Sequence, residues 1–352
     1  MAHRPDVSSF DNVDKRRMMK LKWGKLGVAV AAVSLVAGAC GSSGTSNKAT
    51  SAPSASSGSG AAASTKQMTN LTVAYAATGA GFSDLYVGVT DGIFKQYGLN
   101  VTLVKVTPAN LISGILSGSA QIGGGVADGS AGAILKGEPM KYVALTEGTY
   151  NLQLWVNKDI TSLQQLSGKS LALTTQGSET DFGLTNLLQK NGMSPTSVDR
   201  KYLVSTSQMI SAIRSGAVAG GLFQPPTAQS LTQIGGHVLT SLSNLPYAVG
   251  SYVTSQSYAS SHAAVLKEFY QAETANLAYL RSHETQSEAA IQKYNPGTSS
   301  ADAQIAYKFF LNVWKQDPSV TPSLISAAFQ RAAAKDKISP PSDVTQYIYS
   351  AS

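Results

Sequence analysis

Leu71-Thr72-Val73-Ala74-Tyr75, followed by the segment opening at Ser83 and ending at Gly98, and then residues 101–106, is the stretch whose reading decides the fold. Leu71, Val73 and Tyr75 recur with the two-residue period of a strand. Ser83 is of a helix-capping type, and Gly98 supplies a helix end. Between them Leu85, Tyr86, Val89, Ile93 and Phe94 share one side of a helix. Residues 101–106 form a second strand. Two strands joined through a helix pair in parallel, because a hairpin cannot connect parallel strands.

The same rhythm extends outward. Helices are expected over 110–116 and 127–135, the latter ended by Gly137, and strands over 121–124, 142–146 and 152–156. It restarts after Leu163-Gln164-Gln165-Leu166-Ser167-Gly168, with a strand over 170–174. Ser178 then caps a helix carrying Leu184, Leu187 and Leu188, which closes at Asn191-Gly192. Further strands are expected over 202–204, 221–223, 237–242 and 250–254, with helices over 208–214 and from Pro226. From Ala264 onward the chain reads as largely helical. Such alternation predicts mostly parallel sheets covered on both faces. Two blocks and a helical tail make the expected class α/β, with two lobes and a helical C-terminal part.

The N-terminal segment is of a different kind. Lys15, Arg16, Arg17, Lys20, Lys22 and Lys25 precede an apolar run over 26–39, and then Cys40, the one cysteine in 352 residues. A basic stretch, a short apolar run and small residues form a secretory leader, and about 14 apolar residues fall short of the ~20 that span a bilayer. Residues 37–40, Ala-Gly-Ala-Cys, resemble a bacterial lipobox, which implies removal of 1–39 and lipidation of Cys40. Ala37 stands where Leu is commonest. Met18 and Met19 offer alternative starts. Residues 40–68 are mostly Gly, Ser, Ala and Thr, a composition that predicts a flexible tether with a reach of roughly 28 Å.

This leader also accounts for the basic balance. The chain carries +7, but seven of its 27 Lys/Arg and three of its 20 acids precede Cys40, leaving +3 on the remainder. No basic run survives there, which argues against nucleic-acid binding. With Cys40 as an anchor, no disulfide and no thiol nucleophile is expected in the mature chain.

Three motif fragments fail on context. Ser167-Gly168-Lys169-Ser170 ends like a phosphate-binding loop, but Leu163 stands where its first Gly belongs and a strand follows. Gly79-Ala80-Gly81-Phe82-Ser83-Asp84 begins like a dinucleotide fingerprint, with Asp84 in the place of its last Gly. His237, His262 and His283 lack metal-ligand spacing, so neither a metal nor a cofactor is expected.

Residues 91–101, Asp-Gly-Ile-Phe-Lys-Gln-Tyr-Gly-Leu-Asn-Val, resemble the opening of solute-binding proteins for aliphatic sulfonates, taurine and nitrate, and of the pyrimidine-precursor binders in the same superfamily. Gly92, Phe94, Gly98, Leu99 and Val101 match their pattern. Residues 115–123, 136–144 and 163–175 continue the resemblance, with Gln121 in place of the usual acid. It implies a two-lobed type II periplasmic-binding-protein-like fold, with lobe 1 from 69–155 plus 250–352 and lobe 2 from 156–249. The chain would cross between lobes near 154–158 and return near 245–252. It further implies a monomer, lipid-anchored at the outer face of a bacterial cytoplasmic membrane. There it captures a small solute and passes it to an ABC permease, without catalysis. A sulfonate, taurine or nitrate-like solute is the default, and a pyrimidine or other heteroaromatic precursor is the competitor. An enzyme of the same fold and a non-transport sensor are the other classes, and the enzyme branch carries a Cys-rich motif absent here.

Four loops are candidates for contact with solute. In residues 77–83, small residues allow close backbone approach at Gly81; Phe82 either stacks on solute or joins the core, and Ser83 lies beside it. Asp128 either caps a helix or binds a donor. Gln176, Ser178, Glu179 and Thr180 surround a helix N-terminus, a place suited to an oxyanion, while Glu179 and Asp181 disfavour one. Gln224 stands where many relatives have a Trp-Glu-Pro motif and is the polar candidate there.

Overall fold

The computed structural model describes residues 68–76 and 79–350. The leader, Cys40, the tether, and Ala77 and Thr78 of the first candidate loop lie outside the described residues. Ten strands make two five-stranded sheets. In chain order they are β1 (Thr69–Tyr75), β2 (Leu99–Lys105), β3 (Ile122–Gly125), β4 (Met140–Leu145), β5 (Gln153–Val156), β6 (Ser170–Leu173), β7 (Asp199–Tyr202), β8 (Gly220–Phe223), β9 (His237–Ser241) and β10 (Ser251–Ser255).

The first sheet has the order β2-β1-β3-β10-β4 and the second β7-β6-β8-β5-β9. In each, the three strands of the strand–helix units run parallel, while the strand that has crossed over (β10 or β5) runs antiparallel to its neighbours. The crossing expected near 154–158 lies earlier. Gln153 is already paired with Phe223 in the second sheet, and the return is complete when Ser251 pairs with Gly125.

Each parallel strand feeds a helix: β2 into α3 (Pro108–Leu116), β3 into α4 (Ala127–Leu135), β6 into α5 (Glu179–Lys190) and β7 into α6 (Thr206–Arg214). The first sheet buries both faces. One packs on α1 (Ser83–Thr90), α2 (Ile93–Gln96), α8 (Ala263–Ser282), α9 (Glu284–Tyr294) and α10 (Ser300–Phe310); the other packs on α3, α4 and α11 (Pro322–Asp336). The short α7 (Gln256–Ser261) follows β10. The glycine run of β3 suits this double burial: a Cβ at Gly124 would lie 2.7 Å from the Phe82 ring and 2.8 Å from Tyr252.

Some local expectations change. The helix read as continuous from Ser83 breaks at Gly92, whose φ of 71° is left-handed, so α1 and α2 are separate. Phe82, not Ser83, occupies the cap position of α1, and the Ser83 hydroxyl donates to the Ala80 carbonyl at 2.7 Å. The helix expected from Pro226 is a 3-10 turn over Gln229–Ile234.

Candidate functional site

The carboxyl ends of the parallel strands in both sheets, and the N-termini of the helices that follow, enclose a cavity of about 710 Å³. The first sheet contributes Ala76, Thr107, Gly125, Val126 and Asp128; the second contributes Thr174, Ser178, Glu179, Thr206 and Gln224. Asn151, Leu152 and Tyr247 come from the two crossing segments. This is where α/β sheets bind ligands, since strand ends and helix N-termini leave loops free to converge. Leu111, Ile112, Met209, Leu222 and Phe223 give the cavity an apolar side.

At the head of α5, the hydroxyls of Thr174, Ser178 and Thr180 form a ring, with separations of 2.9 to 3.0 Å. The Thr180 hydroxyl also accepts from the Thr174 amide at 3.0 Å. Ser178 is the N-cap residue of α5 without a side-chain capping bond, because its hydroxyl belongs to this ring.

Two acids, Asp128 and Glu179, line the cavity, and a third, Asp181, lies close by in the first turn of α5; the three differ sharply. Asp128 receives both Nε and Nη2 of Arg331, each at 2.7 Å. The Arg331 guanidinium also lies over the Tyr247 ring, 4.3 Å from its centroid. Burial by itself would lower the guanidinium pKa; the Asp128 carboxylate outweighs it and holds the group above its ordinary value. Asp181 accepts from the Gly177 amide at 2.8 Å and pairs with Arg200 at 2.8 Å.

Glu179 has no such partner. Its carboxyl accepts from the Asn151 backbone N–H, and its Oε1 is sealed from solvent without a hydrogen-bond partner. Burial, and secondarily the negative charge of Asp128, push its pKa up to about 8. Asn151, 1% exposed, donates to Glu147 Oε2 at 2.7 Å and leaves its own Oδ1 unpartnered. The Tyr247 hydroxyl is also unpartnered.

Behind the cavity lies a second acid group. Tyr252 donates to Asp84 at 2.6 Å, and Asp84 meets Glu273. Burial raises the pKa of Asp84, Glu147 and Glu273. Two carboxylates in contact within a core repel each other, and a proton shared between Asp84 and Glu273 relieves that repulsion, so this group reads as a structural brace. Gln224 bridges the two regions: a Cβ at Gly81 would lie 2.7 Å from Gln224 Nε2 and 3.2 Å from Glu147 Oε1.

The structure thus brings Asp128, Ser178, Glu179, Thr180 and Gln224 to one cavity. Gly81 reaches it only through Gln224. Phe82 packs in the core against Tyr75 and Tyr252, and Ser83 is buried beside it. Gln176 is exposed and faces a separate groove with Phe182 and Lys335. Sequence reasoning missed Asn151, Tyr247 and Arg331. Only the expectation that the chain crosses between lobes near the first two carried any signal for them.

A family model described as NMT1/THI5 like matches residues 80–287. The chain belongs to the NMT1/THI5-like family. No curated protein matches it. Among solved structures, the periplasmic aliphatic sulphonate binding protein SsuA from Escherichia coli superposes with a TM-score of 0.63 at 19% identity, covering 80% of this chain and 97% of that one. The ligand binding component of an ABC-type import system from Staphylococcus aureus gives 0.66 at 15% identity, covering 81% and 100%. The alkanesulfonate-binding protein SsuA from Xanthomonas axonopodis pv. citri, bound to MOPS, gives 0.62 at 17% identity, covering 80% and 99%. Identities this low carry the fold alone. The fold is the expected α/β, two-lobed periplasmic-binding-protein type with a helical C-terminal part.

Proposed function

We propose that this family member is the extracytoplasmic solute-binding component of an ABC importer, capturing a small molecule between its lobes for a membrane permease, without catalysis. The observation that carries this reading is the 710 Å³ cavity between the strand ends of two sheets. Lobe 1 is built around the first sheet and lobe 2 around the second. Asp128, Ser178, Glu179, Thr180 and Gln224 are the contacts proposed on its walls. The superposed sulfonate-binding proteins from Escherichia coli and Xanthomonas make a sulfonate the first solute class to test. The apolar side of the cavity, with no Lys or Arg among the described residues of its lining, supports the second class, a heteroaromatic solute.

The leader and Cys40 support a lipid anchor on the outer face of the cytoplasmic membrane. Labelled fatty acid should enter the wild-type protein and not Cys40→Ala; equal labelling would sink the anchor. Thermal-shift screening against alkanesulfonates, taurine, nitrate, pyrimidines and aromatic acids tests the binding role. A true solute at 100 times its Kd should add about 2.7 kcal/mol of stability. Turnover of any solute would favour an enzyme instead.

A further inference from the structure

We infer that the solute carries a donor-bearing cationic nitrogen, an ammonium or amidinium, seated against the Glu179 carboxyl beside the Asn151 side chain. The inference rests on the solute-capture reading above and narrows its substrate class.

Glu179 Oε1 and Asn151 Oδ1 belong to residues that line the cavity, and neither has a partner in the protein. Asn151 is 1% exposed and its orientation is held by the bond from its Nδ2 to Glu147. Its Oδ1 is therefore a fixed acceptor, and a buried acceptor left unmade is costly. The Tyr247 hydroxyl, also unpartnered and lining the cavity, adds a third polar atom. Asn151 Oδ1 can only accept, and Glu179 accepts at both oxygens once a cation stabilises its carboxylate; several N–H donors presented together satisfy both, whereas a sulfonate or nitrate, which only accepts, leaves Asn151 Oδ1 unmet.

Charge points the same way. The groups that act on Glu179 are Asp128 on α4, Glu147, Tyr150 and Asn151 before β5, and Tyr247 before β10. The nearby cation on α11, Arg331, acts on Asp128, Tyr150 and Tyr247, and is held by both oxygens of Asp128 and stacked on Tyr247. Among the described residues, no Lys or Arg lines the cavity. The α5 N-terminus, where an anion would otherwise settle, already has Asp181 on its Gly177 amide. A cationic ligand supplies the counter-charge that this pocket lacks. Any acceptor group elsewhere on the solute remains free to meet the N-termini of α3 and α6.

The sign of proton exchange distinguishes the two ligand classes. Burial holds Glu179 protonated at neutral pH. A bound cation stabilises the carboxylate and drives its proton out, whereas a bound anion holds the proton on. Titration calorimetry of the purified full chain at pH 7, in buffers of different ionisation enthalpy, counts that proton. The probes are butylammonium and benzamidinium (cation alone), taurine (cation with sulfonate), benzamide (neutral), and propanesulfonate and nitrate (anion alone).

We expect cation-bearing probes to bind with net release of a proton, up to about one per solute. Glu179→Gln, near-isosteric and checked by its unliganded melting curve, should weaken them by about 100-fold and abolish the release. Binding confined to propanesulfonate, nitrate or benzamide would overturn the inference and leave solute capture standing. Cation binding with no proton release, or unaffected by Glu179→Gln, would also overturn it. Failure of every probe here and of every solute in the broader thermal screen would overturn solute capture as well.

Discussion

The two walls of the cleft carry acids of opposite standing. On the α4–α11 wall, Asp128 is bound at both oxygens by Arg331, and the pair is extended by the ring of Tyr247. On the α5 wall, Glu179 has a sealed oxygen and, among the described residues, no paired cation. Both residues sit at the start of a helix that follows a parallel strand, where an acid complements the helix dipole. Position in the fold therefore does not distinguish them; the side chain arriving from elsewhere does. An acid with its own arginine is a structural joint. An acid left neutral by burial is available to an incoming charge.

The largest break in this contrast comes from Arg331→Met. The Asp128 and Arg331 side chains are 14% and 18% exposed, and removing one partner of a buried pair costs about 3–5 kcal/mol. Chemical denaturation at pH 7 should show that loss. The double variant Asp128→Asn, Arg331→Met should recover most of it, since no lone charge remains; a double variant no more stable than the single would contradict the pairing.

A smaller effect is expected from Glu179→Gln in the absence of solute. The folded-state pKa of Glu179, about 8, stands above its unfolded value. Its contribution is then fully present below about pH 4.3, the ordinary value for Glu, and is lost as pH rises toward 8. Glutamine removes that loss, so the variant should be more stable than wild type at pH 8, by up to about 4 kcal/mol, and little different at pH 4. A pH-independent difference would mean that Glu179 is ionised already.

How much of this the sequence discloses follows from the range of each interaction. The strand–helix rhythm is local, so β1, β3, β6 and α5 are read within a residue or two from periodicity and caps. The break between α1 and α2 was missed because apolar spacing ran through it while Gly92 carried the turn. Ser178, Glu179 and Gln224 are legible because a strand end and a helix start are local signals. Arg331 is 203 residues from Asp128, and nothing local marks it as a partner. The sequence leaves Phe82 open between solute and core; the proximity of Tyr75 and Tyr252 that places it in the core is tertiary. Asn151 and Tyr247 lie in crossing segments with no periodic pattern, and their importance appears only once the two sheets face each other.

A crystal structure with the strongest solute from the thermal screen tests solute capture most directly. The account predicts one solute molecule in the cavity between the two sheets, touching residues of both walls, with a nitrogen within hydrogen-bonding distance of the Glu179 carboxyl. Solute bound on an outer face, with that cavity filled only by water, would contradict it.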